Sequence, residues 1–211
     1  MIENRGGWRA ILGATPEVLL AILVLLACPW LSRTGTAPVR SEDEAGYLML
    51  GESLHEGKGY VSSWLPGAPR HGLYPPGFPV LLAGVWRATG PTLAAAEGTT
   101  IVLSLLSLVL AYALFRRLSG RGGAIACVAV MGCSPLYWRF SGPVLSESAA
   151  LALVLATLLA GEAWRDRGGH RGWLVLSLVA GAIGLSVRMA NLALLLAWPV
   201  AAASPGGALS R

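Results

Sequence analysis

LAAAEGTTIVLSLLSLVLAYALF, residues 93–115, is 23 residues long and carries one charged side chain, Glu97, near its start. A helix needs about 20 consecutive apolar residues to cross the hydrocarbon of a bilayer, so this stretch reads as a membrane span. Working outward, further runs of the same kind appear at TPEVLLAILVLLACPWL (15–31), AIACVAVMGCSPLYW (124–138), AALALVLATLLAGEAW (149–164), WLVLSLVAGAIGLSV (173–187) and ANLALLLAWPVAAA (190–203). The expectation is an all-α membrane protein of about six spans, one module over residues 1–211 with no internal repeat. Composition agrees: 55% of the 211 residues are hydrophobic, 13% are charged, and the mean hydropathy is +0.61. Soluble domains average about 25% charged residues.

The net charge of +5 does not point to nucleic acid. Basic residues fall in short loops between apolar runs, as cytoplasmic loops of membrane proteins require, and no basic stripe is interleaved with aromatics. Cys28, Cys127 and Cys133 all lie inside apolar runs without metal-ligand spacing to a histidine, so each reads as a small buried hydrophobe. The first run lacks a small-x-small cleavage site and is read as a span rather than a removed signal.

Arginine placement orients the spans. Arg5 and Arg9 precede the first; Arg116, Arg117 and Arg121 follow the second; Arg165, Arg167 and Arg171 follow the fourth. With alternating spans these segments share one side, which the positive-inside rule makes cytoplasmic. The long polar section, residues 33–92, then lies outside. Asp43, Glu44, Arg70, His71, Glu97, Arg139, Glu147, Arg188 and Asn191 all gather at that outer end. One such residue alone could be an interfacial side chain reaching water. A set on one side is a candidate site, since ionisable groups at a membrane are costly and by default functional.

Within the outer section, RSEDEAGYLMLGESLHEGKGY (40–60) reads as a helix. Ser41 and Glu44 fit a capping box, carboxylates in the first turn suit the helix dipole, and Gly57 is a natural stop. Tyr47, Leu50 and Leu54 recur at helical spacing, predicting an amphipathic helix able to lie on a membrane surface. The cap uses Glu44 and leaves Asp43 over, at the junction with the first span. YPPGFP (74–79) reads as a rigid extended turn. VLLAGVWRA (80–88) is too short to span and reads as a second interfacial helix ended by Gly90 and Pro91.

DEAGYLMLGESLHEGKGY, YPPGFPVLLAG and SGPVLSESAALAL come in the order seen in the integral-membrane glycosyltransferases of the GT-C class. Over roughly residues 15–200 the chain resembles the protein O-mannosyltransferases and the bacterial aminoarabinose transferases. The resemblance implies sugar transfer from a polyprenyl-phosphate-linked donor to a lipid, glycan or protein acceptor. It further implies a reaction at the outer face of the cytoplasmic membrane, which agrees with the cytoplasmic N-terminus expected from the arginines. It implies Asp43 as the catalytic acid residue, with Glu44 second in the pair and Glu147, flanked by Arg139, opening the later outer loop. Aminoarabinose transferases carry lysine before their Pro-Pro; Tyr74 stands here, so the phosphate contact passes to Arg70 or Arg188. The substrate-binding candidates are thus Glu44, Arg70, His71, Tyr74, Arg139, Glu147 and Arg188. Asp43 and Glu147 could hold a divalent metal, Mg²⁺ or Mn²⁺; the residues leave this open.

The resembled enzymes carry more spans than this chain, which ends at AAASPGGALSR, so an N-terminal portion is expected. Two other classes compete. One is a non-enzymatic lipid-carrier flippase or transporter subunit, the other an inactive GT-C-like partner subunit. Transporters place charges near the midplane, whereas these charges gather at the outer interface, favouring the transferase.

Overall fold

A computed structural model describes residues 39, 41–166 and 170–193. The first expected span lies outside the described residues, with Arg5, Arg9 and Cys28. So do the sixth span beyond residue 193 and Arg167 in the basic loop. The described residues form seven α-helices and a short 3-10 turn: α1 Glu42–His55, α2 Gly77–Thr89, α3 Leu93–Leu118, α4 Gly120–Gly132, α5 Pro135–Ser141, α6 Ser146–Asp166, α7 Arg171–Val187, then Met189–Asn191.

The Ser41 half of the expected capping box forms at the start of α1, while an oxygen of the Glu44 carboxylate is taken by Val144 N–H. Ser41 is extended and its Oγ accepts the Glu44 N–H at 3.2 Å. The helix ends in a Schellman motif: Gly57, at φ +75°, donates to the Leu54 carbonyl, and Lys58 N–H donates to that of Ser53. The face bearing Tyr47, Leu50 and Gly51 is buried and packs on α2, where Phe78, Leu82 and Trp86 are buried in turn. α2 starts earlier than expected, inside YPPGFP, with Pro79 as its third residue. The first turn of a helix has no intrahelical acceptor for its N–H groups, so a proline there costs nothing.

α3 is capped by Thr92, whose Oγ1 accepts Ala95 N–H, and runs for 26 residues to Arg116 and Arg117. Its buried stripe, Thr100, Ser104, Ser107, Ala111 and Leu114, faces α6 with small side chains, the usual way for helices to approach closely in lipid. Their hydroxyls bond mostly within the protein: Ser104 Oγ lies 2.8 Å from Ser148 Oγ. α6 packs also on α7, where Ser177 donates to the Thr157 carbonyl.

α3 and α6 are long and apolar enough to cross a membrane. The third expected span is broken. α4 and α5 meet at 66° across Cys133 and Ser134. Pro135 has no N–H and its ring opposes the carbonyl of Met131, so the helix cannot continue through it. α7, the fifth expected span, has 17 residues.

Candidate active site at the start of α1

Asp43, Gly46 and Tyr47 share one face of α1, at i, i+3 and i+4. The Tyr74 ring lies on that face. Its centroid is 4.7 Å from that of Tyr47, and a Cβ on Gly46 would come within 2.7 Å of its Cε2. Only the missing side chain at Gly46 lets the ring in, and there the Tyr74 hydroxyl donates to Asp43 Oδ1 at 2.6 Å.

Tyr74 is itself fixed from behind. Tyr60 donates its hydroxyl to the Tyr74 carbonyl at 2.7 Å, and Tyr74 N–H donates to His71 Nε2 at 3.1 Å. The His71 ring stacks on the Tyr74 ring, centroids 5.2 Å apart and 21° between planes. Local pairing of Val61 with Arg70 and the His71 N–H···O=C Tyr60 bond bring these residues side by side. A backbone N–H can only donate, so His71 Nε2 carries no proton. The neutral ring must carry it on Nδ1, donating to Ser62 Oγ at 2.9 Å. Burial pushes the His71 pKa down, in keeping with a neutral ring. The bond to Asp43, then burial, pushes the Tyr74 phenol up to about 12, and burial takes Tyr60 to about 12.

A second charged pair lies at the same end of the bundle. Arg188 Nη1 is 2.7 Å from Glu147 Oε1, both partly exposed. Glu147 opens α6 and Arg188 caps α7. Tyr47 connects the two groups. Its hydroxyl donates to Ser146 Oγ at 2.9 Å, and its pKa, raised chiefly by burial, also feels Glu147, Arg188 and Asp43. Glu44 is fully buried and its carboxylate accepts Val144 N–H at 2.7 Å, tying α1 to the segment before α6. Gly77 holds the other side: a Cβ there would lie 2.5 Å from Ser186 Oγ and 2.6 Å from Ser186 backbone atoms.

The candidates from sequence therefore sort as follows. Asp43, Tyr74 and His71 form one connected group, and Glu147 and Arg188 a second beside it. Glu44 is placed inside the packing between α1 and α6. Arg70 and Arg139 are exposed, with no ion pair among the described residues. Tyr47, Tyr60, Ser62 and Ser146 were not singled out as site residues. Tyr47 read as part of an apolar stripe, and its partner Ser146 is 99 residues away.

The donor set does not fit a divalent metal. One oxygen of Asp43 is taken by a phenol and one of Glu147 by a guanidinium, which competes with any cation. Among the described residues no three His, Cys, Asp or Glu side chains gather. Glu147 also lines an open pocket of about 400 Å³ between α3 and the α4–α5 break, walled by Ser104, Met131, Tyr137, Phe140 and Ser148.

Comparison with known proteins adds one finding. The family model described as dolichyl-phosphate-mannose-protein mannosyltransferase matches residues 74–208, a segment that starts at Tyr74 and includes Glu147 and Arg188 but not Asp43. No curated protein and no solved structure matches the chain. With well over half of its length matched and its apolar helices arranged around a charged end, this membrane protein belongs to the dolichyl-phosphate-mannose-protein mannosyltransferase family of GT-C type glycosyltransferases.

Proposed function

We propose that the chain transfers a sugar, mannose by the family's description, from a polyprenyl-phosphate carrier to an acceptor hydroxyl at the outer face of the cytoplasmic membrane. The observation that carries this is the Asp43–Tyr74 bond: a carboxylate fixed on the first turn of a helix by a phenol on one oxygen. Its second oxygen is left to face an incoming acceptor.

The chemistry follows from the residue types. An acceptor hydroxyl is a weak nucleophile. Asp43 takes its proton as the oxygen attacks the anomeric carbon, and the carbon–phosphate oxygen bond breaks with inversion. The leaving phosphate carries its own negative charge and needs a cation rather than an acid. Arg188 supplies it, with Glu147 orienting one edge of the guanidinium and the remaining N–H donors left for phosphate. Arg116, Arg117, Arg121, Arg165 and Arg171 lie at the helix ends opposite to Glu97, Glu147 and Arg188, which supports an outer-face site.

The test is transfer of radiolabelled mannose from polyprenyl-phosphate mannose to endogenous acceptors, in membranes holding the full chain. Asp43→Asn is expected to lower the rate by roughly 10²–10⁴-fold, the usual contribution of a general base. Transfer at the wild-type rate would remove Asp43 from the chemistry.

A further inference from the structure

We propose that His71 is a positioning residue rather than a substrate contact: as the neutral Nδ1–H tautomer it holds the Tyr74 backbone and ring so that the Tyr74 hydroxyl stays on Asp43. This deepens the proposed function and rests on Asp43 being the base.

The geometry leaves His71 little else to do. Both of its nitrogens are used inside the loop, Nε2 by Tyr74 N–H and Nδ1 by Ser62 Oγ. Its ring meets three aromatic neighbours: Tyr74 stacked, Tyr60 edge-on at 5.6 Å, and Trp64 tilted at 5.6 Å. No nitrogen remains to meet a phosphate or a sugar hydroxyl. The groups facing it are the Tyr60 and Tyr74 phenols, the Ser62 hydroxyl and the Trp64 ring; Asp43 on α1 is reached only through Tyr74. Burial alone lowers its pKa, with no carboxylate or cation contributing.

Protonation makes the consequence specific. A proton on Nε2 would point at the Tyr74 N–H, donor against donor, and that bond must open. Because the folded pKa lies below the ordinary 6.5, the ring stays neutral through neutral pH. The arrangement is then lost on the acid side of that range. His71→Gln places a carbonyl where Nε2 sits and cannot titrate. His71→Phe keeps the stacking and removes the acceptor.

The experiment is nitrogen-15 NMR of the full chain in detergent micelles, with His55 and His170 replaced by Gln so that the remaining one of three histidines is unambiguous. Imidazole nitrogens and Tyr74 amide exchange are followed from neutral to acid pH. Expected are a neutral ring with Nε2 bare and a slowly exchanging Tyr74 amide whose protection disappears as the ring protonates. In His71→Gln that protection should persist into acid, and in His71→Phe it should be absent at every pH. A proton on Nε2 at neutral pH, or Tyr74 protection that ignores His71 protonation in the wild type, overturns the proposal. Neither result needs the Phe variant to fold. Should the NMR come out as expected while Asp43→Asn transfers sugar normally, the positioning of Tyr74 stands and the role of Asp43 as base falls.

Discussion

The Tyr74 hydroxyl reaches across 31 residues of chain to donate to Asp43 Oδ1 at 2.6 Å. The bond holds a carboxylate that is otherwise exposed at the tip of α1. Tyr74→Phe removes the donor and keeps the ring in its slot over Gly46. A hydrogen bond to a charged group contributes about 1.5–3 kcal/mol, and each 1.36 kcal/mol is tenfold in rate. Mannose transfer is therefore expected to fall roughly 10–100-fold, and the same lost bond should lower the unfolding midpoint.

The same bond has an alkaline signature. Tyr74 and Tyr60 are both pushed up to about 12, so these two ionise late in a spectrophotometric titration, with Tyr47 also shifted up by burial. A phenol whose folded pKa exceeds its unfolded value of about 10 stabilises the fold fully below that value. The contribution is lost as pH climbs through the folded one. Asp43→Asn removes the largest cause for Tyr74, so its ionisation should move back toward the ordinary range while Tyr60 stays late.

Glu44 is expected to report on stability rather than turnover. Glu44→Ala strands the buried Val144 N–H, which costs about 1–3 kcal/mol. Glu44→Gln keeps a carbonyl acceptor and should cost less. Unfolding midpoints of the two variants in detergent decide this; equal midpoints would mean the Val144 bond contributes nothing measurable.

Gly77→Ala is expected to destabilise to a similar degree by a different route. Its Cβ would overlap the Ser186 backbone, which cannot turn aside as a side chain can. Overpacking typically costs about 1–3 kcal/mol. Here it pushes α2 off α7 and shifts the whole aromatic group resting on Phe78, so lower expression and a lower unfolding midpoint should appear together.

The Arg188–Glu147 pair separates binding from stability. Both side chains are partly exposed, and such pairs contribute about 0–1 kcal/mol to folding. Arg188→Ala should therefore unfold near the wild-type temperature. If the guanidinium meets the carrier phosphate, its loss raises KM for polyprenyl-phosphate mannose, and Arg188→Lys recovers only part because a point charge lacks the planar fork.

Local sequence alone determined where α1 begins and ends and that residues 93–115 make an apolar helix of spanning length, but not the start of α2 or the break between α4 and α5. Ser41 and Thr92 cap because a side-chain oxygen three residues ahead satisfies a first-turn N–H, Gly57 stops α1 because it accepts positive φ, and the 93–115 run must lie in lipid because almost nothing in it can face water. These are interactions within one or two turns, legible from spacing. The start of α2 was misread from the prolines, since YPPGFP shows three of them but not that the last falls where a helix has no bond to lose. What only the tertiary structure decided is which polar groups meet. Tyr74 finds Asp43, Tyr47 finds Ser146, Glu44 finds Val144, and Glu147 finds Arg188 across 31 to 100 residues. No pattern in the chain encodes those distances. They follow from how closely helices approach, which small residues such as Gly46 and Gly77 permit and side-chain volume elsewhere forbids.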